Sequence, residues 1–444
     1  VARQVKTIDP NVLSIAFTDR ILCTRCGTCV AVCPTRAISL DDNFYPVLNA
    51  DACTSCGICS RTCPGGHVYF AQLKKLTFGP VDRGDHFDGV VRKTYVGYAG
   101  DARIRRYGAG GGVITALLWD LLRRKKVSGC IVTRMSPQKP WLGEAFIART
   151  YEDLLQSQQS KYIVIPVNEI LAGIKSEPGR LAFAGLPCHI HGLRLLMQEN
   201  PVLARKISVV LGLFCASALE PSVVSEMLQC RGIDRDSLKN FHFRGGQWPG
   251  KIRAILKNGL IKNLHYSNFK DGAINYLTYL YSPERCQTCI DGSAEFADIA
   301  VSDAWTRDEF GQYLFESHSK LMARTALGEK VMKEAIAAAS LVASDVTKNR
   351  DYQTHKLHTR KKGLNSPLRV ARLRRAGKPA PIYDRPTPSS TWRERWSERL
   401  ESAIMYLGRR RATRLPLFKF LTSRYGILFV SVRQYLKKQK YRKP

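Results

Sequence analysis

Cys23-Thr24-Arg25-Cys26-Gly27-Thr28-Cys29 recurs thirty residues on as Cys53-Thr54-Ser55-Cys56-Gly57-Ile58-Cys59, and each copy continues to a Cys-Pro pair, Cys33-Pro34 and Cys63-Pro64. Repetition at a fixed period is read first, because it sets the architecture. Between the copies, Ala37-Ile38-Ser39-Leu40 and Tyr45-Pro46-Val47-Leu48 read as short strands around the polar turn Asp41-Asp42-Asn43. The repeat predicts a small pseudo-twofold α+β module over residues 1–75.

Both runs keep the spacing Cys-x2-Cys-x2-Cys-x3-Cys-Pro. In bacterial ferredoxins this spacing holds two [4Fe-4S] clusters and gives the fourth cysteine of each run to the other cluster. Cys23, Cys26, Cys29 and Cys63 are therefore assigned to one cluster, and Cys53, Cys56, Cys59 and Cys33 to the other. Two-residue gaps turn successive thiolates toward one centre, and Gly27 and Gly57 would admit backbone amides to the inorganic sulfurs. Zinc also takes four thiolates, but eight cysteines in two proline-terminated copies fit cubanes better.

At 444 residues and 44% hydrophobic side chains, the chain is long enough for more than one domain. Fourteen cysteines without an export signal argue against a disulfide scaffold and for thiols kept free for metals or redox chemistry. No segment reads as a signal peptide and no apolar run reaches about eighteen residues, so a cytoplasmic protein is expected.

From Lys93 to about Trp305, strand-like and helix-like apolar runs alternate, which predicts an α/β core over 93–310. Candidate strands are 94–98, 130–133, 145–148, 181–184 and 209–214; candidate helices are 112–124, 151–156, 189–198 and 220–230. A hairpin across Asn258-Gly259 joins 251–256 to 261–266, and a helix is expected over 328–339. Within this core, Tyr107-Gly108-Ala109-Gly110-Gly111-Gly112-Val113-Ile114-Thr115 sets a glycine-rich loop directly before a helix. Free N–H groups and the positive helix end there would receive a phosphate; alternatively it is a plain loop.

Gly185-Leu186-Pro187-Cys188-His189-Ile190-His191-Gly192-Leu193-Arg194, Leu211-Gly212-Leu213-Phe214-Cys215, Cys286-Gln287-Thr288-Cys289-Ile290-Asp291 and Ala297-Asp298-Ile299-Ala300-Val301-Ser302-Asp303-Ala304-Trp305 carry a resemblance. At these residues the chain resembles the family of coenzyme F420 hydrogenase/dehydrogenase beta subunits, whose relatives include 7-hydroxymethyl chlorophyll a reductases and divinyl chlorophyllide 8-vinyl reductases. The resemblance covers roughly 93–305. It implies FAD in the core and a further [4Fe-4S] cluster beside it. Gly110, Gly111, Gly112 and Thr115, with Ser160, Lys161 and Tyr162, match the flavin-side motifs.

For the third cluster the available thiols are Cys188, Cys215, Cys286 and Cys289, the first two beside apolar runs read as strands. The alternative for Cys188 and Cys215 is buried, inert thiols. Cys130 and Cys230 carry no motif and are read as structural. His189 stands where many members have Gln, and Ser302 where many have Gly. A histidine beside a flavin would serve as a proton donor, or is simply a hydrogen-bonding loop residue, and His191 has the same two readings. Arg244, in Phe243-Arg244-Gly245-Gly246-Gln247-Trp248-Pro249-Gly250, pairs with a phosphate or substrate carboxylate, or else forms a surface salt bridge.

The formal net charge is +32, and residues 351–444 contribute +20 of it, with 25 Lys and Arg against 5 Asp and Glu. Residues 311–444 are expected to form a helical extension, a linker broken by Pro379, Pro381, Pro386 and Pro388, and a basic tail. Its charge suits an acidic protein such as ferredoxin or an anionic membrane, and residues 415–436 read as an interfacial helix or as one packed on the core. Nucleic acid is not an expected partner, since no binding module accompanies the charge; a homo-oligomer is open. The sequence thus describes an oxidoreductase passing electrons from a reduced donor, such as ferredoxin, through three clusters to FAD and on to a substrate. The alternative is a subunit of a larger complex exchanging electrons with coenzyme F420 or a partner protein.

Overall fold

The computed structural model describes residues 9, 12–81, 84–265, 274–308, 310, 312–347, 356–423, 425, 426, 428, 431 and 432. In it the two cysteine repeats fold alike. Two residues beyond each leading cysteine the backbone turns left-handed, at Arg25 (φ 55°) and Ser55 (φ 57°), and it does so again at Gly27 (84°) and Gly57 (72°). The bend lets the Arg25 and Ser55 amides donate to the Cys23 and Cys53 sulfurs, at 3.3 and 3.4 Å. A short helix follows each glycine, Thr28–Val32 and Ile58–Arg61. Between the repeats, β1 (Ile38–Leu40) and β2 (Pro46–Leu48) pair antiparallel with Ser39 opposite Val47. Sequence reasoning gives Gly27 the task of admitting amides to sulfur. The structure adds a second reason: a Cβ there would stand 2.6 Å from the Glu169 amide nitrogen, because this loop presses against the core.

After β3 (His67–Val68) the core begins. Its strands are β4 (Lys93–Ala99), β5 (Gly129–Met135), β6 (Gly143–Ala148), β7 (Leu181–Gly185), β8 (Ile207–Leu213), β9 (Leu238–Gly245), β10 (Lys251–Leu256), β11 (Ile261–Asn263), β12 (Ile299–Asp303), β13 (Ser319–Ala323) and β14 (Leu341–Asp345). Eight of them form one sheet in the order β14-β4-β13-β12-β8-β7-β5-β6. The central four, β12, β8, β7 and β5, run parallel, and the remaining neighbours pair antiparallel. All five residues of β7, Leu181 to Gly185, are buried, as a strand covered on both faces requires. β9, β10 and β11 make a separate antiparallel sheet that includes the expected hairpin.

The sequence places the end of the core at residue 310, yet β13 and β14 lie beyond that point and belong to the same sheet. β13 carries Ser319 and Lys320, both buried, which hides it from a reading based on apolar runs. The extension is helical, with helices Lys356–Arg375, Trp392–Arg409 and Arg411–Leu421. The proline-broken stretch is no free linker. There β15 (Ile382–Tyr383) pairs parallel with β3, and the Asp384 carboxylate accepts from the Phe70 and Ala71 amides at 2.7 and 2.9 Å, capping helix Phe70–Phe78. Nor is the Arg411–Leu421 helix wholly interfacial. Phe418 is 1% exposed in the main core, and Arg414 donates to Glu226 at 2.6 and 3.1 Å. Residues 424, 427, 429, 430 and 433–436 of the expected interfacial helix lie outside the described residues.

Candidate functional site

Twelve of the fourteen cysteines gather into three groups. Burial, and then the neighbouring Cys26, Cys63 and Cys23, push the Cys29 thiol well above its ordinary pKa; Cys59 of the second group also contributes. Cys59 in turn is raised by burial and then, among its neighbours, by Cys56, Cys33 and Cys53. These are the two quartets the spacing assigned, each borrowing its fourth thiol from the other repeat. In the core, Cys188 is raised by burial and then by Cys26, Cys286, Cys215 and Cys289. Burial likewise pushes Cys215 up to about 12, against the pull of Lys362.

Cys188, Cys215, Cys286 and Cys289 are each only partly covered, unlike Cys130, which is fully sealed and has no thiol neighbour. Among the described residues, no three His, Cys, Asp or Glu side chains close tightly enough to hold one metal ion. Crowded thiolates repel one another unless a positive body sits among them, so the donor set fits a cubane in each group.

The first and third quartets adjoin. Cys188 interacts with Cys26, and the Arg285 guanidinium, beside Cys286, donates to the Gly65 and Pro64 carbonyls at 2.8 and 3.1 Å, next to Cys63. From the opposite side Arg25 is 2% exposed and donates to both Glu220 carboxylate oxygens at 2.8 Å. Lys362, from the tail helix, donates to the Cys215 carbonyl at 2.9 Å. Arg25, Arg285 and Lys362 set three cations around these thiols. Sequence reasoning misses all three: Arg25 and Arg285 stand next to ligand cysteines whose spacing alone draws attention, and Lys362 lies in a basic stretch that reads as solvated.

The glycine loop packs between strands. A Cβ at Gly110 would stand 2.5 Å from the Asp303 carboxylate, and one at Gly111 would stand 2.7 Å from the Gly97 carbonyl. Gly112, at φ 72°, is the N-cap of helix Val113–Arg123 and offers no side-chain cap, so the helix's first N–H groups stay available to an anion; Thr115 is buried in its first turn. Asp303 accepts from Arg244 at 2.8 Å, and Tyr162 lies beside both, with Ser160 bonded to it. Trp305 stacks on Trp248 at 5.2 Å, and the Arg244 guanidinium lies 5.1 Å over Trp305. Arg244 Nη2, Trp248 Nε1 and Ser302 Oγ are buried without a hydrogen-bond partner. Arg244 and Trp248 both flank Trp305, and buried polar atoms left open there mark where a polar ligand would complete the site. The residues present therefore fit a phosphate-bearing planar cofactor.

Three candidates have other partners in this structure. Lys161 donates to the carbonyls of Ser157, Gln158 and Gln159, and burial lowers its pKa to about 7, so it closes the end of a helix rather than facing a phosphate. His189 accepts the Leu186 amide on Nδ1 at 3.1 Å while its ring also meets the Ile165 backbone; burial lowers its pKa to about 4. It is a neutral cap of helix Pro187–Glu199. His191 pairs with buried Asp291 at 2.9 Å.

A dicluster module set against a mixed α/β core with its own thiol quartet defines an iron–sulfur oxidoreductase. Residues 22–67 match the 4Fe-4S dicluster domain, and residues 94–172 and 179–349 match the N-terminal and C-terminal parts of the coenzyme F420 hydrogenase/dehydrogenase beta subunit. The chain belongs to the family of coenzyme F420 hydrogenase/dehydrogenase beta subunits. Over 327 residues, 70% of the chain, it is 26% identical to the coenzyme F420-dependent sulfite reductase of Methanocaldococcus jannaschii, and it spans 46% of that relative's length. It is 25% identical to one of the F420H2 dehydrogenase subunits of Methanosarcina mazei, over 70% of the chain and 81% of the relative. In fold it resembles a chain of the F420-reducing [NiFe] hydrogenase complex of Methanosarcina barkeri, with a TM-score of 0.53 at 19% identity, covering 67% of this chain and 98% of that one. Among the described residues no helix is long and apolar enough to cross a membrane.

Proposed function

We propose that this chain is the flavin-bearing relay of a larger redox assembly, exchanging electrons between a partner protein and coenzyme F420. The observation that supports it best is the closeness of the first and third quartets, where Cys26 acts electrostatically on Cys188 and Arg285, next to Cys286, donates to the Pro64 and Gly65 carbonyls beside Cys63; such closeness would suit electron passage from the dicluster module into the core. In this reading Cys23, Cys26, Cys29 and Cys63, then Cys53, Cys56, Cys59 and Cys33, then Cys188, Cys215, Cys286 and Cys289 hold three [4Fe-4S] clusters. The loop at Gly110 to Gly112 and the helix behind it hold FAD phosphates. Clusters move single electrons and a bound flavin converts them to a hydride, which is why one chain would carry both. Arg25, Arg285 and Lys362 offset the thiolate charge, and the Asp303 carboxylate holds Arg244 in place beside the aromatic pair.

A second reading is a self-sufficient reductase fed by ferredoxin. Its support is the buried, unpartnered Trp248 Nε1 beside Trp305 and Arg244, a donor that would suit an organic acid or amide. Anaerobic purification separates the two. The relay predicts about twelve iron, about twelve sulfide and one releasable FAD per chain, with coenzyme F420 reduced when an artificial donor is supplied. About eight iron would remove the core cluster, FMN or no flavin would remove the FAD site, and a loaded protein inert toward F420 would favour the second reading.

Gly111→Asp is expected to lose the flavin. Its carboxylate would repel phosphates at the helix end, and its Cβ would meet the Gly97 carbonyl. Absorbance near the flavin band, set against unchanged iron, reads this out. Full flavin in a folded variant would place the phosphates elsewhere.

A further inference from the structure

Helix Trp392–Arg409 is mounted with its polar face inward. Glu398 accepts from Arg369 and Arg372 at 3.0 and 2.7 Å, Glu401 accepts from Asn365 at 2.9 Å, and Gly408 fits against the Leu280 backbone, where a Cβ would come within 2.6 Å of the carbonyl oxygen. The outward face carries Trp392, Trp396, Leu400, Ile404 and Leu407, which are 62%, 63%, 65%, 37% and 46% exposed. Spacings of four, four, four and three residues put all five on one stripe. A solvent-facing helix normally shows the reverse arrangement. Arg393, Arg399 and Arg410 are exposed along the same helix and at its end, and the next helix turns Leu417 and Phe420 outward as well.

We propose that this stripe is a docking surface for an anionic lipid bilayer, with the helix lying in the plane of the interface. The charge decides the occupant. Residues 351–444 carry +20; of the three acidic side chains on this helix Glu398 and Glu401 are turned into the protein against Arg369, Arg372 and Asn365, Glu394 is engaged in the cap with Thr391, and the stripe itself presents tryptophan and aliphatic residues with arginines alongside. Tryptophan rings settle at headgroup level, arginine pairs with anionic headgroups, and leucine reaches the acyl boundary. At about 1.5 Å per residue the stripe runs roughly 22 Å, enough to lie flat on a membrane and, given the arginines, not suited to cross one. The inference is independent of which substrate the redox site serves.

The test uses the full chain with its clusters in place, sedimented with vesicles of phosphatidylcholine and phosphatidylglycerol and, in parallel, of phosphatidylcholine alone. Binding is expected to the anionic vesicles and to weaken with salt. The double variant Trp396→Glu/Leu400→Glu should bind at least about tenfold more weakly with iron content unchanged, because both side chains are exposed. Should that variant lose iron, Trp396→Ser reads the same weakening with a milder change. The proposal falls if the wild-type chain ignores anionic vesicles or if the folded variants bind them as well as the wild type. It also falls if the substitutions instead split a dimer on gel filtration, which would make the stripe a contact between copies of this chain.

Discussion

Cys286→Ala should lower iron and sulfide from about twelve to about eight per chain while leaving the spectroscopic signals of the dicluster module intact. The module shares no assigned ligand with the core quartet, so its clusters have no reason to be lost. Electron flow should respond more sharply than metal content. Cys188 is the core thiol that feels Cys26 electrostatically, and Cys286 belongs to the same quartet with Arg25 acting on it in turn. Removing the cluster there opens a gap between module and flavin. Reduction of the flavin through the module should then fail, while direct chemical reduction of the flavin persists. Iron counts, and flavin bleaching with a protein donor against a small one, measure the two effects. Unchanged iron would show that Cys286 is not a ligand.

Most of the dicluster module is legible in the sequence because its chemistry is local. The ligand spacing, the left-handed glycines and the trailing prolines all lie within a dozen residues of one another. Three of the four parallel strands, β5, β7 and β8, are legible too, since runs such as Leu181 to Gly185 are apolar throughout; β12, which ends on the polar Ser302 and Asp303, is not among the expected strands. What escapes lies where burial and polarity part company. Ser319 and Lys320 are buried at the start of β13, Lys362 and Arg369 on the inner face of a helix that reads as solvated, and Arg285 directly before Cys286. Each is a charged or polar side chain, and three of them are held by a distant partner: Cys215 for Lys362, Glu398 for Arg369, Pro64 and Gly65 for Arg285. No window of sequence contains both halves of such a pair.

The proline stretch misleads for a related reason. Pro379, Pro381, Pro386 and Pro388 exclude a helix, and exclusion of a helix reads as freedom. In the structure the same stretch is fixed at several points: the Ile382 amide donates to the Gly66 carbonyl at 2.7 Å, and Arg385 reaches both Glu295 oxygens at 2.8 and 2.7 Å. It ties the helical extension to the dicluster module. A truncation intended to remove only surface charge must therefore end after this strap, and even there it removes Phe418 from the core.

Lys362→Met is expected to make the core cluster markedly harder to reduce. Burial alone would lower the pKa of this lysine, but the thiols of Cys289, Cys215 and Cys286 and the Asp291 carboxylate hold it well above its ordinary value, so it sits protonated among them. A fixed positive charge there favours the more negative, reduced state of whatever the thiols bind. Removing a unit charge within about 10 Å at an effective dielectric near 20 changes that balance by about 2 kcal/mol, or on the order of 100 mV toward lower potential. Lys361 provides the control on the adjacent position, since its ammonium instead pairs with Glu401 and reaches the Tyr279 hydroxyl at 3.2 Å. Lys361→Met should leave the potential nearly unchanged. Redox titration followed by electron paramagnetic resonance reads both variants. Equal potentials in the two would mean that Lys362 serves only to fasten the helix, through its bond to the Cys215 carbonyl.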